Sequence, residues 1–454
     1  MSVTEILQFA DDLVFAHQGK HLNDLQKLIL KGVYQGKTYE EIAGQSKWSE
    51  SRVRNIASEL WQLLSEELGE DIKKSNFRST LERVYIESFN NIYIGSNNNF
   101  KLTSQVTNKE AQENDVSHKP QSIDHDLTLA PQIINFYNRA TELEQLNNWL
   151  FKQNTRLISV LGLSGIGKTT LVKKFVDLNL DKFEVVIWKS LHFAKSLELL
   201  IDDLLNICKQ EAKETLDDKL TQLFDVLNKK PYLIIIDDVQ NIFIKGELAG
   251  KYKPEYQNYQ RFFTMITEAK HQSQVILISQ EQCKEMNCLD ESLYSLKCLK
   301  LSGLDDVAIL QQMALKDEES WLRLIKLYEG NPFYLKTIAN SIKNIFDGYV
   351  SEFLSDNELI ITKDMQGNLQ LLFDKLSPTE QQIIFQMSDF KQPVSREALK
   401  ANLELSSTDF INGVESLQQR CLVTKIKGDQ IRFKLSPVFQ EYFANIYEEK
   451  SDHH

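Results

Sequence analysis

Four short and continuously apolar runs, separated by helical stretches, constrain the fold of this chain more than any other feature. They are rich in Ile and Val, and they span Leu157 to Gly162, Val185 to Trp188, Tyr232 to Asp237 and Val275 to Ser279. Uninterrupted apolar runs are typical of strands that are buried on both faces of a parallel sheet. The sequence therefore predicts a multidomain α and α/β protein in which residues 133–300 form a doubly wound α/β domain.

Helical patterns flank this domain on both sides. Residues 1–95 have no strong strand signal and are predicted to form a helical domain, and residues 301–360 a helical subdomain. In residues 361–454, helical segments are followed by two alternating runs, Leu422–Ile426 and Ile431–Leu435, joined by a short polar turn. A hairpin after a helical run is typical of a winged helix, which we predict for this last segment.

Residues 96–132 differ in composition from both of their neighbours. They are rich in Asn, Ser, Gln and Asp and poor in aromatic residues, so they cannot bury a hydrophobic core. We predict a flexible linker here and interpret its histidines, His118 and His125, as solvent-exposed residues and not as metal ligands.

The bulk properties favour a cytoplasmic protein. No apolar stretch is long enough to cross a bilayer, and the acidic amino-terminal segment does not resemble a signal peptide. Five cysteines show no metal-type spacing, and we interpret them as free thiols of a reducing compartment. The net charge of -12 excludes a chain that binds nucleic acid through an overall basic surface.

A glycine-rich segment begins where the first apolar run ends. It fits the pattern G-x-x-x-x-G-K-[ST], and its three glycines are Gly162, Gly165 and Gly167. Glycines allow the tight turn in which backbone N–H groups point at phosphate oxygens, and the helix predicted to begin near Lys168 adds its positive end. We predict that Lys168 binds the β- and γ-phosphates of a nucleotide, that Thr169 ligates Mg²⁺ and that Thr170 contacts the α-phosphate.

The third apolar run ends in two acidic residues, Asp237 and Asp238. A carboxylate at the end of a buried strand would lie beside the phosphate loop, so we predict that Asp237 holds Mg²⁺ through water. Asp238 is placed to orient or deprotonate an attacking water, and with Lys168 it forms the predicted catalytic pair. The alternative for both acids is that a strand-end Asp only caps the next helix.

Three further motifs narrow the class of nucleotide-binding protein. Phe136-Tyr137-Asn138-Arg139-Ala140-Thr141-Glu142-Leu143 resembles the entry motif of NB-ARC domains, Asp237-Asp238-Val239 resembles their D-D-V motif, and Glu329-Gly330-Asn331-Pro332-Phe333-Tyr334-Leu335 resembles their G-x-P-L motif. Together with the winged-helix pattern, these motifs resemble the STAND class of P-loop NTPases from about Ile133 onward. The class includes plant disease-resistance proteins, the animal apoptosome scaffold and many bacterial proteins.

The resemblance implies a switch that binds ADP or ATP with Mg²⁺. It implies that Arg139 lies near the nucleotide, that Pro332 packs on the adenine, and that the winged helix closes over the phosphates with ADP and swings away with ATP. The alternative is that Arg139 is a surface partner of Glu142 and that Pro332 only ends a turn before its helix. The resemblance also implies self-association in the ATP state.

Two positions depart from the family pattern. Gln280 stands after the fourth run where members of the family often carry an arginine, and Gln has no charge to stabilise a γ-phosphate. Ser436 lies in the stretch where many members carry a histidine that touches the ADP β-phosphate, and its hydroxyl would donate a weaker hydrogen bond. We still expect Gln280 and Ser436 to contact the nucleotide. Because both are weaker partners for phosphate than the usual residues, we expect Mg-dependent ATP hydrolysis to be slow at most.

The amino-terminal domain contains a second resemblance. Thr38-Tyr39-Glu40-Glu41-Ile42-Ala43 followed by Ser49-Glu50-Ser51-Arg52-Val53-Arg54 resembles a helix-turn-helix of bacterial transcription regulators. Thr38 and Ser49 are predicted helix caps. As a DNA reader, the helix after Ser49 would present four residues to the major groove, Ser51, Arg52, Arg54 and Asn55. Residues 1–95 contain more acidic than basic residues, so docking of a protein partner is the alternative.

Three functions remain open at this point. The first is a STAND-class switch that controls domain rearrangement and self-association in signalling, defence or regulation. The second is a nucleotide-responsive transcription regulator that acts through the amino-terminal unit. The third is an ordinary ATPase with fast turnover, against which Gln280 argues. No repeat array follows the winged helix, so we expect the sensor on a separate chain or in the amino-terminal unit.

Overall fold

The computed structural model separates into two units, residues 1–122 and residues 123–454. Its described residues are 22–34, 37–44, 48–68 and 72–74 with positions 10, 46, 77 and 80 in the first unit, and 125–289, 293–356, 359–428 and 430–451 in the second. His118 and most of the predicted linker lie outside these residues. Within the described ranges, no helix combines the length and apolar character that crossing a membrane requires.

Three helices are defined in the described part of the amino-terminal unit: α1 (Asp24–Tyr34), α2 (Tyr39–Gly44) and α3 (Glu50–Leu68). The predicted cap of α2 is confirmed, because the Thr38 hydroxyl accepts the backbone N–H of Glu41 at 3.2 Å and the Glu41 carboxylate accepts the backbone N–H of Thr38 at 2.6 Å. The predicted cap of α3 is confirmed as well, since the Ser49 hydroxyl accepts the backbone N–H of Arg52 at 3.4 Å. These hydrogen bonds fix where each helix starts.

The apolar faces of the three helices share one core. Ile29 of α1, Ile42 of α2 and Val53 of α3 are buried in it. Trp61 on α3 donates from Nε1 to the Tyr39 hydroxyl at 2.9 Å, which satisfies the one polar atom of a buried indole. The core accounts for the helical domain that the sequence predicted.

Five parallel strands form the central sheet of the second unit in the order β2-β3-β4-β1-β5. Their bounds are β1 (Leu157–Leu161), β2 (Val185–Ser190), β3 (Tyr232–Asp237), β4 (Gln274–Ser279) and β5 (Leu296–Lys300). The four predicted apolar runs are β1 to β4. The edge strand β5 was not predicted, because its sequence Leu-Lys-Cys-Leu-Lys interrupts apolar residues with polar ones.

Helices cover both faces of this sheet: α4 (Ala140–Asn147, extended by a π-helical turn over Asn148–Lys152), α5 (Lys168–Asn179), α6 (Leu197–Ile207), α7 (Leu216–Lys229), α8 (Asn258–Glu268) and α9 (Glu285–Cys288). Ile158 of β1 packs with α4 and α5, and its neighbour Leu157 packs with α6, α7 and α8 on the other face. Successive strand residues point to opposite faces, so each strand needs apolar residues throughout. The predicted doubly wound α/β fold is confirmed.

The second unit begins earlier in the chain than the sequence analysis placed it. Asp126, assigned to the flexible linker, forms a parallel bridge beside β2: its N–H donates to the carbonyl of Val186 at 2.9 Å, and its carbonyl accepts the N–H of Trp188 at 2.8 Å. The interpretation of His125 as solvent-exposed was wrong. Its Nδ1 accepts the backbone N–H of Val186 at 3.0 Å, and partial burial lowers its pKa. This extended segment covers the open edge of β2.

Helices predominate after the sheet. They are α10 (Ala308–Gln311), α11 (Trp321–Leu327), α12 (Pro332–Ile345), α13 (Val350–Phe353) and α14 (Lys363–Phe373). One hydrophobic cluster runs from Leu304 to Phe443. Residues 301–360 and the segment after them therefore share a single core.

The C-terminal module, residues 378–451, combines helices with a small antiparallel sheet. Its elements are α15 (Pro378–Ser388), β6 (Val394–Ser395), α16 (Arg396–Ala401), α17 (Ser407–Gln419), β7 (Val423–Ile426), β8 (Arg432–Leu435) and α18 (Pro437–Ser451). The predicted hairpin is β7 and β8, and β6 pairs with the other edge of β8. Two residues carry no readable pattern, so β6 was not predicted. The assignment of this module as a winged helix stays a prediction.

Candidate functional site

The phosphate loop joins β1 to α5 in a conformation that requires glycine. Gly165 and Gly167 have φ angles of 75° and 98°, in the left-handed region that glycine favours. A Cβ atom on Gly165 would lie 2.3 Å from the Cβ of Phe333, and one on Gly162 would lie 2.9 Å from the carbonyl oxygen of Leu301. The three glycines singled out from their spacing therefore occupy places where a side chain does not fit, or where the backbone disfavours one.

Lys168 is the first residue of α5 and is buried. Its Nζ donates hydrogen bonds to the carbonyl oxygens of Gly162 and Leu163, each at 3.0 Å. Burial lowers the pKa of Lys168 to about 8, and the neighbouring Asp237 carboxylate opposes that shift. An ammonium group with two neutral carbonyl partners can exchange either of them for a phosphate oxygen, which is the role predicted for Lys168.

Asp237 and Thr169 come together at the end of β3. The buried Asp237 carboxylate accepts a hydrogen bond from the Thr169 hydroxyl and another from the backbone N–H of Asp238, the latter at 2.8 Å. Burial, followed by the charge of Asp238, raises the pKa of Asp237 to about 8. Mg²⁺ prefers oxygen ligands and keeps several waters, so a carboxylate beside a hydroxyl fits that ion. Thr170 follows in the same turn of α5 and is half-buried.

Asp238 is held in a left-handed backbone conformation, with φ of 59°. Its carboxylate accepts hydrogen bonds from the Ser190 hydroxyl at 3.2 Å and from Nε2 of Gln240 at 2.9 Å, and Nδ1 of His192 lies 3.7 Å away. The carboxylate is therefore oriented by its neighbours while a third of the side chain stays exposed. This arrangement suits a group that orients or deprotonates water.

Gln280 follows β4 at the same edge of the sheet as Asp237. Its backbone N–H donates to Oε1 of Gln240 at 3.1 Å, and its own Oε1 accepts a hydrogen bond from Nζ of Lys375 at 3.3 Å. Lys375 lies in the turn between α14 and α15, 95 positions away in the chain. No local pattern marks such a residue, and the sequence analysis did not single it out.

Arg139 is buried, which rules out the alternative that it is a surface residue. The ion pair with Glu142 that was part of this alternative is present, with Nη1 of Arg139 2.8 Å from the Glu142 carboxylate. Its Nη2 donates to the carbonyl oxygens of Ser302 at 2.8 Å and of Ile166 in the phosphate loop at 3.3 Å. Arg139 therefore ties the start of α4 to the phosphate loop.

The amino-terminal end of α12 also lies against the phosphate loop. Pro332 is the first residue of that helix, as in the alternative proposed from the sequence. The polar contact is made by the buried Asn331, whose Nδ2 donates to the carbonyl of Ser164 at 3.0 Å and whose Oδ1 caps the helix at the N–H of Phe333. The predicted contact of Pro332 with adenine stays a prediction.

Ser436 has a partner that the sequence analysis did not foresee. Its hydroxyl donates a short hydrogen bond to the carboxylate of Glu329, and burial raises the pKa of Glu329. Ser436 also lines a small cavity together with Ser164 of the phosphate loop and Asn368 of α14. The residue thus lies close to the loop while its hydroxyl is engaged, and its predicted contact with a phosphate stays untested.

A buried polar cluster joins the α/β domain to the C-terminal module. Arg420, at the end of α17, pairs with Glu281, and its Nε donates to Glu380 of α15 at 2.9 Å. Its Nη2 donates to the carbonyl of Glu247 at 2.8 Å. Glu380 is fully buried and also accepts the Ser416 hydroxyl at 2.6 Å. All polar groups named here have partners, as buried charges require.

The residues predicted to read DNA lie on the first two turns of α3, and all four are exposed or half-exposed in their unit. Arg54 forms an ion pair with Glu50 at 2.6 Å, and the guanidinium of Arg52 lies over the Trp48 ring at 5.0 Å. The Ser51 hydroxyl lies 3.2 Å from that of Ser49, and Asn55 is on the next turn. Both arginines therefore have partners within the unit.

A parallel sheet whose first strand runs through a G-x-x-x-x-G-K-[ST] loop into a helix defines the class of P-loop NTPases. Within that class the chain carries an NB-ARC domain, since residues 139–297 match the NB-ARC domain family. Residues 1–84 match the family described as vWA-MoxR associated protein N-terminal HTH. The resemblance to NB-ARC proteins with an amino-terminal helix-turn-helix is confirmed.

Two relatives and one solved structure are similar to parts of this chain. An uncharacterized WD repeat-containing protein of Nostoc sp. is 31% identical over 337 residues, which cover 70% of this chain and 27% of that protein. The disease resistance protein RPS4 of Arabidopsis thaliana is 20% identical over 300 residues, covering 63% and 23%. The chain thus spans about a quarter of the length of these relatives. A Walker-type ATPase of Pyrococcus abyssi has a TM-score of 0.48 at 14% identity, covering 68% of this chain and 96% of that one.

Proposed function

We propose that this chain is a cytoplasmic ADP- and ATP-binding switch of the STAND class in signalling, defence or regulation. In this proposal slow, Mg-dependent ATP hydrolysis controls the packing of the C-terminal module, acting as a winged helix, and self-association follows ATP binding. The carrying observation is that Lys168 and the Thr169–Asp237 pair converge on a loop which α12 and α14 also contact. A change in the phosphates held there would act directly on both helices.

Each residue of the site has a role in binding. Lys168 would bind the phosphates, and the loop N–H groups and the end of α5 would add positive potential. Thr169 and Asp237 would hold Mg²⁺, which when bound neutralises charge on the phosphate oxygens. Asp238 would orient the attacking water from its fixed position. Gln280 contributes no charge at this edge, which supports slow turnover.

The test is to identify nucleotide that co-purifies with the full chain and to titrate nucleotide-free protein with ADP and Mg²⁺ by calorimetry. Wild type should retain ADP, and Lys168→Ala should lower the affinity at least tenfold, roughly the contribution of one charged hydrogen bond. Lys230→Ala is the matched control, because Lys230 is exposed and pairs with Glu184 before β3 begins.

The control variant should bind like wild type. Absence of ADP and ATP uptake by well-folded wild-type protein would overturn the proposal. Turnover above about one per second, in the range of ordinary enzymes, would instead favour an ATPase that works by hydrolysis.

DNA binding by the amino-terminal unit is the second candidate function, supported by the helix-turn-helix match. Fluorescence anisotropy with duplex DNA at several salt concentrations tests it. Binding through α3 should be lost in the Arg52→Ala, Arg54→Ala double variant, with a shallower salt dependence, because phosphate contacts release counterions. Lys31→Ala, an exposed change on α1, is the control. Binding that survives the double variant, or no binding by wild type, would favour a protein partner for this unit.

A further inference from the structure

A lysine from outside the α/β domain lies at the phosphate edge of the sheet. Lys375 belongs to the turn between α14 and α15, and its Nζ donates to Oε1 of Gln280 at 3.3 Å. Its carbonyl oxygen accepts the backbone N–H of Gly246 at 3.0 Å. Two hydrogen bonds, one from the backbone and one from the side chain, therefore fix this turn against the α/β domain.

Within the described part of the chain, the close partner of the Lys375 charge is the neutral amide of Gln280. Its side chain is half-buried, and among the described residues no carboxylate lies within 4.0 Å of its Nζ. Burial lowers the pKa of Lys375, and the more distant carboxylates of Glu281 and Asp238 oppose that shift. A partly desolvated ammonium group whose hydrogen-bond partner is an amide is unfavourable, so a phosphate oxygen would stabilise it.

Lys375 lies beside the predicted phosphate-binding residues. Its hydrogen-bond partner Gln280 directly follows β4, and Gln240 joins the backbone of Gln280 to the carboxylate of Asp238. Two ammonium groups near one another raise the energy of the protein, and an anion shared between them removes that cost. Lys168 from the loop and Lys375 from the α14–α15 turn therefore suit a common polyanion.

A pair of amide side chains links Lys375 to the rest of the site. Gln240 donates to Asp238 at 2.9 Å and accepts the backbone N–H of Gln280 at 3.1 Å, while the side chain of Gln280 receives Lys375. Gln280 thus acts as a positioning residue that holds a charge from elsewhere in the chain. This arrangement gives a neutral residue a role beside the predicted phosphate-binding residues.

We propose that Lys375 binds the γ-phosphate of a bound nucleoside triphosphate and supplies, from the α14–α15 turn, the positive charge that Gln280 lacks. The inference rests on the proposed function. Lys375 lies three residues before the C-terminal module, and its backbone carbonyl accepts a hydrogen bond from the N–H of Gly246. Loss of the γ-phosphate would remove its strongest partner and so signal hydrolysis to that module.

The test is calorimetric titration of the nucleotide-free full chain, in the presence of Mg²⁺, with ADP and with a non-hydrolysable ATP analogue. Lys375→Met should weaken binding of the analogue by about tenfold to a hundredfold, the range for one hydrogen bond to a charged group. Binding of ADP should change by less than about threefold, as for a substitution that touches no ligand atom. Lys375→Arg should restore part of the loss.

Lys391→Met is the matched control, since Lys391 is an exposed lysine in the loop after α15. It should bind both nucleotides like wild type. Equal losses for ADP and for the analogue, or no loss for either, would overturn the role of Lys375 at the γ-phosphate. Failure of wild type to bind any nucleotide would overturn the proposed function itself, so the two failures are distinguishable.

Gln280→Ala provides a second and independent measurement. If Gln280 acts by positioning Lys375, its removal should weaken binding of the ATP analogue, and the Gln280→Ala, Lys375→Met double variant should be no weaker than Lys375→Met alone. Additive losses in this cycle would show that the two side chains act separately and would overturn the positioning role. Near-native circular dichroism spectra of the variants establish that each one folds.

Discussion

At the scale of single residues, Asp237 is the predicted anionic ligand of Mg²⁺. Burial, followed by the charge of Asp238, raises the pKa of Asp237, so the folded protein favours the protonated carboxyl group more than the unfolded chain does. Asparagine resembles the protonated acid in shape, so we expect Asp237→Asn to fold with an unchanged thermal midpoint. The same change should weaken nucleotide binding in Mg²⁺ by at least about tenfold, because it removes an anionic ligand.

Calorimetry with Mg²⁺ and again with excess EDTA separates the two effects. In EDTA the variant should bind nucleotide as well as wild type does. Asp225→Asn, an exposed change on α7, controls for the loss of one negative charge and should have no effect. If Asp237→Asn binds normally in Mg²⁺, Asp237 is not a metal ligand and only ends its strand.

At the scale of secondary-structure elements, the sequence predicted those whose signal is local. β1 to β4 are continuous apolar runs, and the caps at Thr38 and Ser49 place the starts of two helices. β5 was missed because an edge strand tolerates polar residues on its open side. The segment around Asp126 was assigned to a linker, since composition does not reveal a polar segment that bridges to a sheet edge.

In the candidate site, too, the sequence predicted the residues that belong to a local pattern and missed those brought in by long-range packing. Lys168, Thr169 and Asp237 are adjacent to a recognisable loop or strand end, so spacing was enough to single them out. Lys375 and Arg420 reach the same region from elements far along the chain. Their contacts depend on how α14, α15 and α17 pack against the α/β domain, and no local pattern encodes that packing.

The stability of the junction between β4, α15 and α17 should depend on pH, because Glu281 titrates there. Burial raises the pKa of Glu281 from its ordinary 4.5 to about 7, against the opposing charge of Arg420. Between these values the folded state binds more protons than the unfolded state. Protonation of Glu281 therefore adds up to about 3 kcal/mol to the free energy of unfolding. This stabilisation is fully present below pH 4.5 and is lost as the pH rises through about 7.

Denaturant unfolding of wild type and Glu281→Gln at pH 5, 6, 7 and 8 measures this effect, because Gln does not titrate. The free energy of unfolding of wild type should fall relative to that of the variant as the pH rises. A difference that grows in favour of wild type over this range would mean that the ion pair with Arg420 outweighs burial and lowers the pKa of Glu281.

At the scale of the whole second unit, its parts are held together by two kinds of contact, apolar packing and buried polar groups. Residues 301–360 and the C-terminal module share one apolar core, against which Leu163 of the phosphate loop packs while partly buried. A buried polar cluster around Arg420 also joins the C-terminal module to the α/β domain. These polar contacts include Arg420 and the Ser416 hydroxyl, which accepts the N–H of Ala249 at 2.7 Å. Exchanging polar contacts for water costs less than exposing an apolar core. The unit should therefore open along the polar contacts and keep the shared core intact.

Arg420→Met tests this division directly. At pH 8 the change leaves Glu281 and Glu380 buried without their cation, which typically costs about 3–5 kcal/mol, whereas Arg396→Met, at an exposed pair on α16, should cost less than about 1 kcal/mol. Hydrogen–deuterium exchange should rise at residues 246–249 and 419–421, where the two parts meet. Exchange in the core helices α12 and α15 should stay slow, because opening along the polar contacts leaves their apolar partners in place. If α12 and α15 instead exchange as fast as the polar contacts do, the module unfolds as it separates, and a rigid rearrangement controlled by nucleotide is not available to this protein.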